Sequence, residues 1–215
     1  SRMSFSHACR GLEDIVNVEQ MVEQTFSNFY EGIQENEIDL SNLMAAKTRI
    51  EKDPVYAKLS SRILLDILYR EAMGISANDK RLKRTYRTYF KKYLKLGVSL
   101  DRLDPELLEF DLERLSKALV LERDDEFEYL GLQTLYDRYF IHEKQRRMET
   151  PQIFWMRVAM GLSLNEGKTK NEKAIEFYNV LSNFHFVSST PTLFNSGTLH
   201  SQMSSCYLST TYDDL

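Results

Sequence analysis

The sequence contains few of the residues that interrupt or cross-link a chain. Its 215 residues include only 8 glycines, 4 prolines and 2 cysteines. So little glycine and proline argues against a turn-rich β fold and favours long helices. The two cysteines, Cys9 and Cys206, lie far apart in the sequence and do not form a disulfide framework. A reducing, cytoplasmic compartment is therefore expected.

Long apolar runs and a strong net charge are also missing. No stretch approaches the roughly 18 apolar residues of a membrane-spanning helix, and no apolar core of a signal peptide is present. The formal net charge of -4 gives no reason to expect binding to nucleic acids or membranes through bulk charge. A composition of 42% hydrophobic and 28% charged residues is ordinary for a globular protein of one or two domains.

Apolar residues recur at helical spacing along most of the chain, which predicts a mainly α fold. Asn17 with Gln20 forms a capping-box pattern, and Asp53 is an N-cap candidate followed by proline. Glu126 to Ile141 is more strand-like, and either a hairpin around 131–134 or a strand followed by a helix fits it. The predicted helices cover residues 17–31, 39–51, 53–74, 80–96, 104–119, 148–164 and 171–184.

Basic and aromatic side chains alternate between residues 80 and 95, a pattern that can indicate nucleic-acid binding. However, Tyr86, Phe90 and Tyr93 share one helical face with neighbouring leucines, which favours a buried stripe under a solvated basic face. A metal site is not expected at His142 or His185, because neither has a carboxylate or second histidine at ligand spacing.

The segment around Cys206 is built to present a thiol. Thr190, before a proline, is predicted to be extended, and 195–197 (Asn-Ser-Gly) predicts a turn. Residues 203–210 predict a short strand with Cys206 on one face, and the small hydroxyl side chains beside it leave room for a ligand. The alternative is that Cys206 is simply a small buried hydrophobic residue.

Three ordered motifs carry a family resemblance. Pro191–Gly197 followed by Ser204–Cys206 resembles the N-terminal edge of the catalytic barrel in the class I ribonucleotide reductase large (α) subunit. The stretches Leu132–Tyr139 and Glu149–Val158 are similar to segments of the same family. The resemblance implies an N-terminal part of a ribonucleoside-diphosphate reductase, in which residues 187–215 begin the α/β barrel.

The resemblance assigns roles to individual residues. It implies that Cys206 is one redox-active thiol of the cysteine pair that reduces the substrate. Thr192 and Ser205 match positions that bind the substrate diphosphate, whereas Asp213 and Leu215 match positions at the effector site. No metal ligand and no cofactor are implied for this chain itself.

The same resemblance implies the partners of the full-length protein. These are a ribonucleoside diphosphate, a metal-containing β subunit that generates the radical, thioredoxin or glutaredoxin as dithiol reductant, a second α subunit, and ATP or deoxynucleotides as allosteric effectors. The family's other catalytic residues, including the partner cysteine, would follow residue 215. The chain by itself is therefore expected to be inactive. Binding to nucleic acid or membranes is not expected.

The first part of the chain resembles the later half of an ATP-cone, a regulatory domain. The resemblance covers Ile50–Tyr56 and the following helix, but Asp39 occupies the position of the cone's histidine, and no nucleotide ligands are assigned. The predicted domains are a partial or degenerate cone (1–75), a helical domain (76–186) and the start of the barrel (187–215). A plain helical domain is the alternative for the first part. For the whole chain, the alternative is a non-catalytic regulatory or partner-binding module.

Overall fold

The computed structural model describes residues 2–12, 15–27 and 29–211, and within them the predicted mainly α fold is confirmed. The helices are α1 (Arg2–Ala8), α2 (Val18–Phe26), α3 (Glu35–Lys47), α4 (Val55–Met73), α5 (Leu82–Ser99), α6 (Leu112–Ala118), α7 (Tyr129–Thr134), α8 (Pro151–Leu162), α9 (Lys170–Ser182) and α10 (Thr190–Asn195). Short 3₁₀ helices cover Pro105–Glu109, Leu121–Glu126 and Gly167–Thr169, and a π-helical turn covers Leu135–Tyr139. Two short strands, β1 (His142–Glu143) and β2 (Arg146–Arg147), pair antiparallel.

The chain divides into two compact units, each made of two separate segments. Unit 1 contains the chain up to Tyr86 together with Val120–Thr150, and unit 2 contains Arg87–Leu119 together with the chain from Pro151 onward. One crossing point falls inside α5. The domain boundaries predicted at residues 75 and 186 rest on the family resemblance and not on compact units of the structure. They stay a prediction.

Unit 1 is organised around α4, whose ends lie where the sequence predicts. The Asp53 carboxylate accepts a hydrogen bond from the backbone N–H of Val55 at 2.9 Å. At the other end, Gly74 adopts φ 68°, the left-handed conformation that glycine accepts without strain. Helices α3 and α7 pack against α4. The apolar face of α4 buries Leu59, Ile63, Leu64, Leu68 and Ala72.

The capping interaction predicted for α2 is present, but the helix is shorter than predicted. The Asn17 side chain accepts a hydrogen bond from the Gln20 N–H at 3.0 Å. The helix ends at Phe26 and not near residue 31, and the Phe26 side chain is 54% exposed. Phe26 and Tyr30 are both more than half exposed, so this end of the helix gains little from tertiary packing, which supplies most helix stability in proteins.

The strand-like interpretation of residues 126–141 is wrong. Tyr129, Leu132 and Leu135 are buried at a spacing of three residues, while Leu130 between them is 77% exposed. That spacing belongs to a helix and not to a strand, whose side chains alternate. The segment forms α7 and the π-helical turn that follows it.

Unit 2 is organised around α8, which is buried on all sides from Pro151 to Gly161. Helix α9 packs along it, and the Tyr178 hydroxyl donates a 2.6 Å hydrogen bond to the Gln152 side chain. Trp155 is 3% exposed, so its predicted role in core packing is confirmed. The predicted side-chain cap at Thr150 is not formed, because its buried hydroxyl has no hydrogen-bond partner among the described residues.

The predicted helix from 104 to 119 is interrupted. Asp104 accepts from the N–H of Glu106 at 2.9 Å and starts only a 3₁₀ turn. Phe110 is extended, and Asp111 then caps α6 by accepting from the N–H of Arg114 at 2.9 Å. A second aspartate cap in the middle of the predicted helix competes with helix continuation.

The aromatic side chains of α5 are buried, as the helical stripe predicts. Tyr86 is 1% exposed, and Phe90 and Tyr93 are fully buried. These rings are therefore not available to stack on nucleic-acid bases. On the basic face, Lys83 pairs with Glu122 at 3.1 Å and Lys91 pairs with Glu113 at 2.6 Å within their respective units.

In the part of the chain that the structure describes, every helix is too short or too polar to cross a membrane.

Candidate functional site

The candidate site lies in unit 2 and begins with α10. Pro191 occupies the first turn of this helix, where a missing N–H costs no hydrogen bond. The prediction of an extended Thr190 is wrong by one position. Ser189 is the extended residue (ψ 157°), whereas Thr190 already belongs to the helix. Leu193 is 5% exposed and anchors α10 in the core.

The turn after α10 is confirmed. Gly197 has φ 75°, in the left-handed region that glycine tolerates. Its carbonyl accepts from the N–H of Asp104 at 3.1 Å, and the N–H of Leu199 donates to the Arg102 carbonyl at 3.3 Å. The turn is therefore attached to the loop that follows α5.

A buried arginine lies directly beneath α10. Arg157 of α8 is fully buried, and its guanidinium group donates to backbone carbonyl oxygens at the end of α10 and in the turn. Its Nη1 atom lies 3.2 Å from the oxygen of Leu193, 3.4 Å from that of Phe194 and 2.7 Å from that of Ser196. The last carbonyls of a helix lack intrahelical partners, and here a charged side chain supplies them.

Helix α8 and the turn also approach each other closely. The Ser196 hydroxyl donates to the Val158 carbonyl at 2.7 Å. A Cβ atom added to Gly161 would lie 2.3 Å from the Ser196 Oγ and 2.6 Å from its carbonyl carbon. Only glycine leaves room for this contact.

Two side chains of α10 connect it to the chain that leads to the cysteine. The Asn195 amide donates to the Gln202 carbonyl at 2.6 Å. The Thr192 hydroxyl lies 3.3 Å from the Met203 carbonyl. Thr192 is half-buried, and its contact at Met203 is three residues before Cys206.

The predicted strand over residues 203–210 is absent. Among the described residues, no backbone hydrogen bond of a strand ladder reaches this segment. A strand is stable only when its N–H and C=O groups are paired. Ser205 and Cys206 are both exposed, so the alternative that Cys206 is a buried hydrophobic residue is wrong. The buried cysteine is Cys9, which is 0% exposed.

The structure thus connects Thr192 to the stretch of residues 202–206, the Cys206 segment, and leaves the thiol of Cys206 accessible. Asp213 and Leu215, the predicted effector residues, lie outside the described residues. Among the residues that are described, no group of three or more His, Cys, Asp and Glu side chains could hold a metal ion.

Sequence reasoning assigned no role to Arg157, Ser196 or Gly161. Two signals were present. Arg157 is the one charged residue in the apolar run 151–162, and Gly161 lies inside the helix predicted over 148–164, where glycine is unfavourable unless packing requires it. The contacts of Ser196 depend on the tertiary structure and left no local signal beyond the turn.

In unit 1, the side chain of Asp39 forms an ion pair. Its Oδ2 atom lies 2.5 Å from Nη1 of Arg70, which also pairs with Asp66 at 3.0 Å. A cavity of about 690 Å³ lies beside this pair and is lined by polar side chains including Glu71 and Tyr136. This ion pair joins α3 to α4, and the resemblance of the region to an ATP-cone stays a prediction.

Comparison with known proteins identifies the family. Residues 125–201 match the family described as "Ribonucleotide reductase, all-alpha domain". The chain is 52% identical to the ribonucleoside-diphosphate reductase subunit alpha of Chlamydia muridarum, over 98% of this chain and 20% of that protein. It is 36% identical to the subunit alpha of Helicobacter pylori, over 87% of this chain and 23% of that protein. It is 32% identical to the large subunit of Danio rerio, over 96% of this chain and 25% of that protein.

The mainly α architecture and these matches agree with each other. The chain belongs to the ribonucleotide reductase large-subunit family. It spans about a fifth of the length of the chlamydial relatives that it matches.

Proposed function

We propose that this chain is the N-terminal part of a class I ribonucleoside-diphosphate reductase α subunit, and that it supplies one thiol of the redox pair and part of the substrate site. The observation that carries the proposal is the exposed thiol of Cys206. Its segment is attached to α10 by the side chains of Thr192 and Asn195. An accessible thiol is what a direct reductant of a bound substrate needs.

The proposed reduction needs two electrons, and two thiols supply them. The 2′-hydroxyl of the ribose leaves as water, and the two electrons come from Cys206 and a second cysteine of the full-length protein, which together end as a disulfide. Thioredoxin or glutaredoxin then reduces this disulfide by thiol–disulfide exchange. A radical supplied by a metal-containing β subunit starts the reaction.

Thr192 and Ser205 are proposed to contact the substrate diphosphate. Hydroxyl groups can donate hydrogen bonds to phosphate oxygens, and donors to a charged acceptor form the stronger bonds. In this structure the Thr192 hydroxyl donates to the Met203 carbonyl at 3.3 Å and lies 3.3 Å from the Ser189 hydroxyl. Because a hydroxyl has one proton, Thr192 must turn that proton away from Met203 to donate to a phosphate oxygen. Ser205 is exposed beside Cys206 and is free of the core.

The remaining parts of the proposal concern the full-length protein. They are a dimer of α subunits, allosteric control by ATP and deoxynucleotides, effector contacts at Asp213 and Leu215, and a cytoplasmic location. The chain alone is proposed to have no turnover, because its partner cysteine is not one of its own residues.

The test compares Cys206→Ser with Cys9→Ala in the full-length protein that contains this chain. Ribonucleoside-diphosphate reduction is measured with a radical-generating subunit and a dithiol reductant. Loss of multiple turnover in Cys206→Ser, with native folding and with turnover retained in Cys9→Ala, is the expected result. Normal turnover in Cys206→Ser would favour the alternative of a regulatory or partner-binding module.

A further inference from the structure

Arg157 is a buried charge that donates hydrogen bonds to the backbone of one short stretch of the chain, residues 193–196. The side chain is 0% exposed, and Nη1 and Nη2 each lie 3.2 Å from the carbonyl oxygen of Leu193. Nη1 also reaches the carbonyl oxygen of Ser196 at 2.7 Å. A buried cation is tolerated only when such hydrogen bonds are made, so the arginine and the carbonyls of α10 specify each other's positions.

The shape of the guanidinium group matters for this contact. Its donors are held in a rigid planar fork, which can bond several carbonyl oxygens at the same time. A lysine ammonium keeps the charge but concentrates it at one point and lacks the fork. Replacement by lysine therefore tests geometry separately from charge.

A second contact from the same helix holds the same turn. The Ser196 hydroxyl donates to the carbonyl of Val158 at 2.7 Å, one residue after Arg157. One turn further on, Gly161 has no side chain and lets the turn approach α8. Arg157, Val158 and Gly161 thus form a platform under residues 193–197.

The platform is connected to both proposed functional groups. Thr192 directly precedes Leu193, whose carbonyl Arg157 holds with two hydrogen bonds. The Asn195 amide, within the held stretch, donates to the Gln202 carbonyl at 2.6 Å. A displacement of α10 would therefore move the Thr192 hydroxyl and the start of the Cys206 segment together.

We propose that Arg157 is a positioning residue for the substrate site: through the carbonyls of Leu193 and Ser196 it sets where the Thr192 hydroxyl meets the substrate diphosphate. This inference rests on the proposed function. Arg157 itself is buried beneath α10 and acts through Thr192.

The test is steady-state reduction of a ribonucleoside diphosphate by the full-length protein, with wild type, Arg157→Lys and two further variants. A misplacement of about 1 Å can cost up to about a hundredfold. For Arg157→Lys we expect KM for the diphosphate to rise on the order of tenfold, with kcat changed less. Ser196→Ala removes the hydroxyl contact to Val158 and should raise KM in the same direction by a smaller factor.

The matched control is Tyr178→Phe. It removes another buried hydrogen bond to α8, the 2.6 Å contact with Gln152, without touching residues 193–197. A purely structural role would reduce the amount of active enzyme and hence the apparent kcat, and would leave KM unchanged. Tyr178→Phe should show that pattern, and Arg157→Lys should not.

Each outcome decides between the proposals. A raised KM in Arg157→Lys and Ser196→Ala, with an unchanged KM in Tyr178→Phe, supports the positioning role. If Arg157→Lys does not fold, the KM of Ser196→Ala decides. An active wild type with unchanged KM in both variants overturns the positioning role alone. An inactive wild type with every radical source overturns the proposed function, and the role of Arg157 with it.

Discussion

Gly161 lies so close to Gly197 that a Cβ atom on Gly161 would be 2.1 Å from the backbone nitrogen of Gly197. Such a contact cannot be relieved by rotating a side chain, because the clashing atom belongs to the backbone. Helix α8 and the turn after α10 must separate if any other residue occupies position 161. The close packing of α8 against this turn therefore requires glycine at position 161.

Gly161→Ala is expected to destabilise the chain by about 1–3 kcal/mol, the usual range for overpacking a well-packed interior. Urea denaturation of the 215-residue chain measures the change. Gly131→Ala is the matched control, because the nearest atom to its added Cβ would be a Phe127 ring carbon at 3.8 Å, an ordinary contact. In α7, alanine should be neutral or stabilising by up to about 1 kcal/mol. Equal effects of the two substitutions would contradict the close contact.

The buried Tyr69 predicts a loss of stability at alkaline pH. Burial raises the pKa of Tyr69 well above its usual value, and the carboxylate of Asp124, which accepts its hydrogen bond at 2.5 Å, raises it further. A raised pKa means that this tyrosine stays protonated in the folded state while it ionises in the unfolded state. Its contribution is fully present below about pH 10 and is lost as the pH rises further.

The expected slope is about 1.4 kcal/mol per pH unit above about pH 10 for one such group. Tyr69→Phe should remove this part of the slope, although it also lowers stability at pH 7, because Asp124 loses a buried donor. The measurement is the free energy of unfolding of both proteins from pH 7 to pH 11. Parallel curves for wild type and Tyr69→Phe would show that the phenol does not titrate in this way.

The two cysteines should react very differently with a thiol reagent. Cys206 is exposed and Cys9 is 0% exposed, so brief alkylation of the native chain should modify Cys206 and spare Cys9. Mass spectrometry of peptides after treatment with iodoacetamide measures each site. In denaturant both cysteines should react, which serves as the control. Rapid native modification of Cys9 would contradict the burial of its side chain.

The local signals of the helix ends were sufficient where the structure agrees with the prediction. An N-cap and a left-handed glycine act within a few residues, so Asp53 and Gly74 define α4 without reference to the rest of the chain. The same reasoning failed between residues 126 and 141. There the short apolar runs fit both periodicities, and packing of α7 against α4 selected the helix.

The segment after Gly197 shows another limit of local reasoning. Alternating side chains in residues 203–210 indicate a strand, but the backbone pairs that would complete a strand come from elsewhere in a structure. The described residues supply none, and Cys206 is exposed. The alternating side-chain pattern alone therefore does not determine the conformation of this segment.

The sequence by itself determined the mainly α class, the family resemblance and the thiol at Cys206, because composition, periodicity and ordered motifs are properties of neighbouring residues. Only the tertiary structure decided how that thiol's segment is supported. Arg157 meets Leu193 and Ser196 across 36 and 39 residues of sequence. No local rule joins positions so far apart, since such contacts exist only after helices pack and a buried charge must find its hydrogen-bond acceptors.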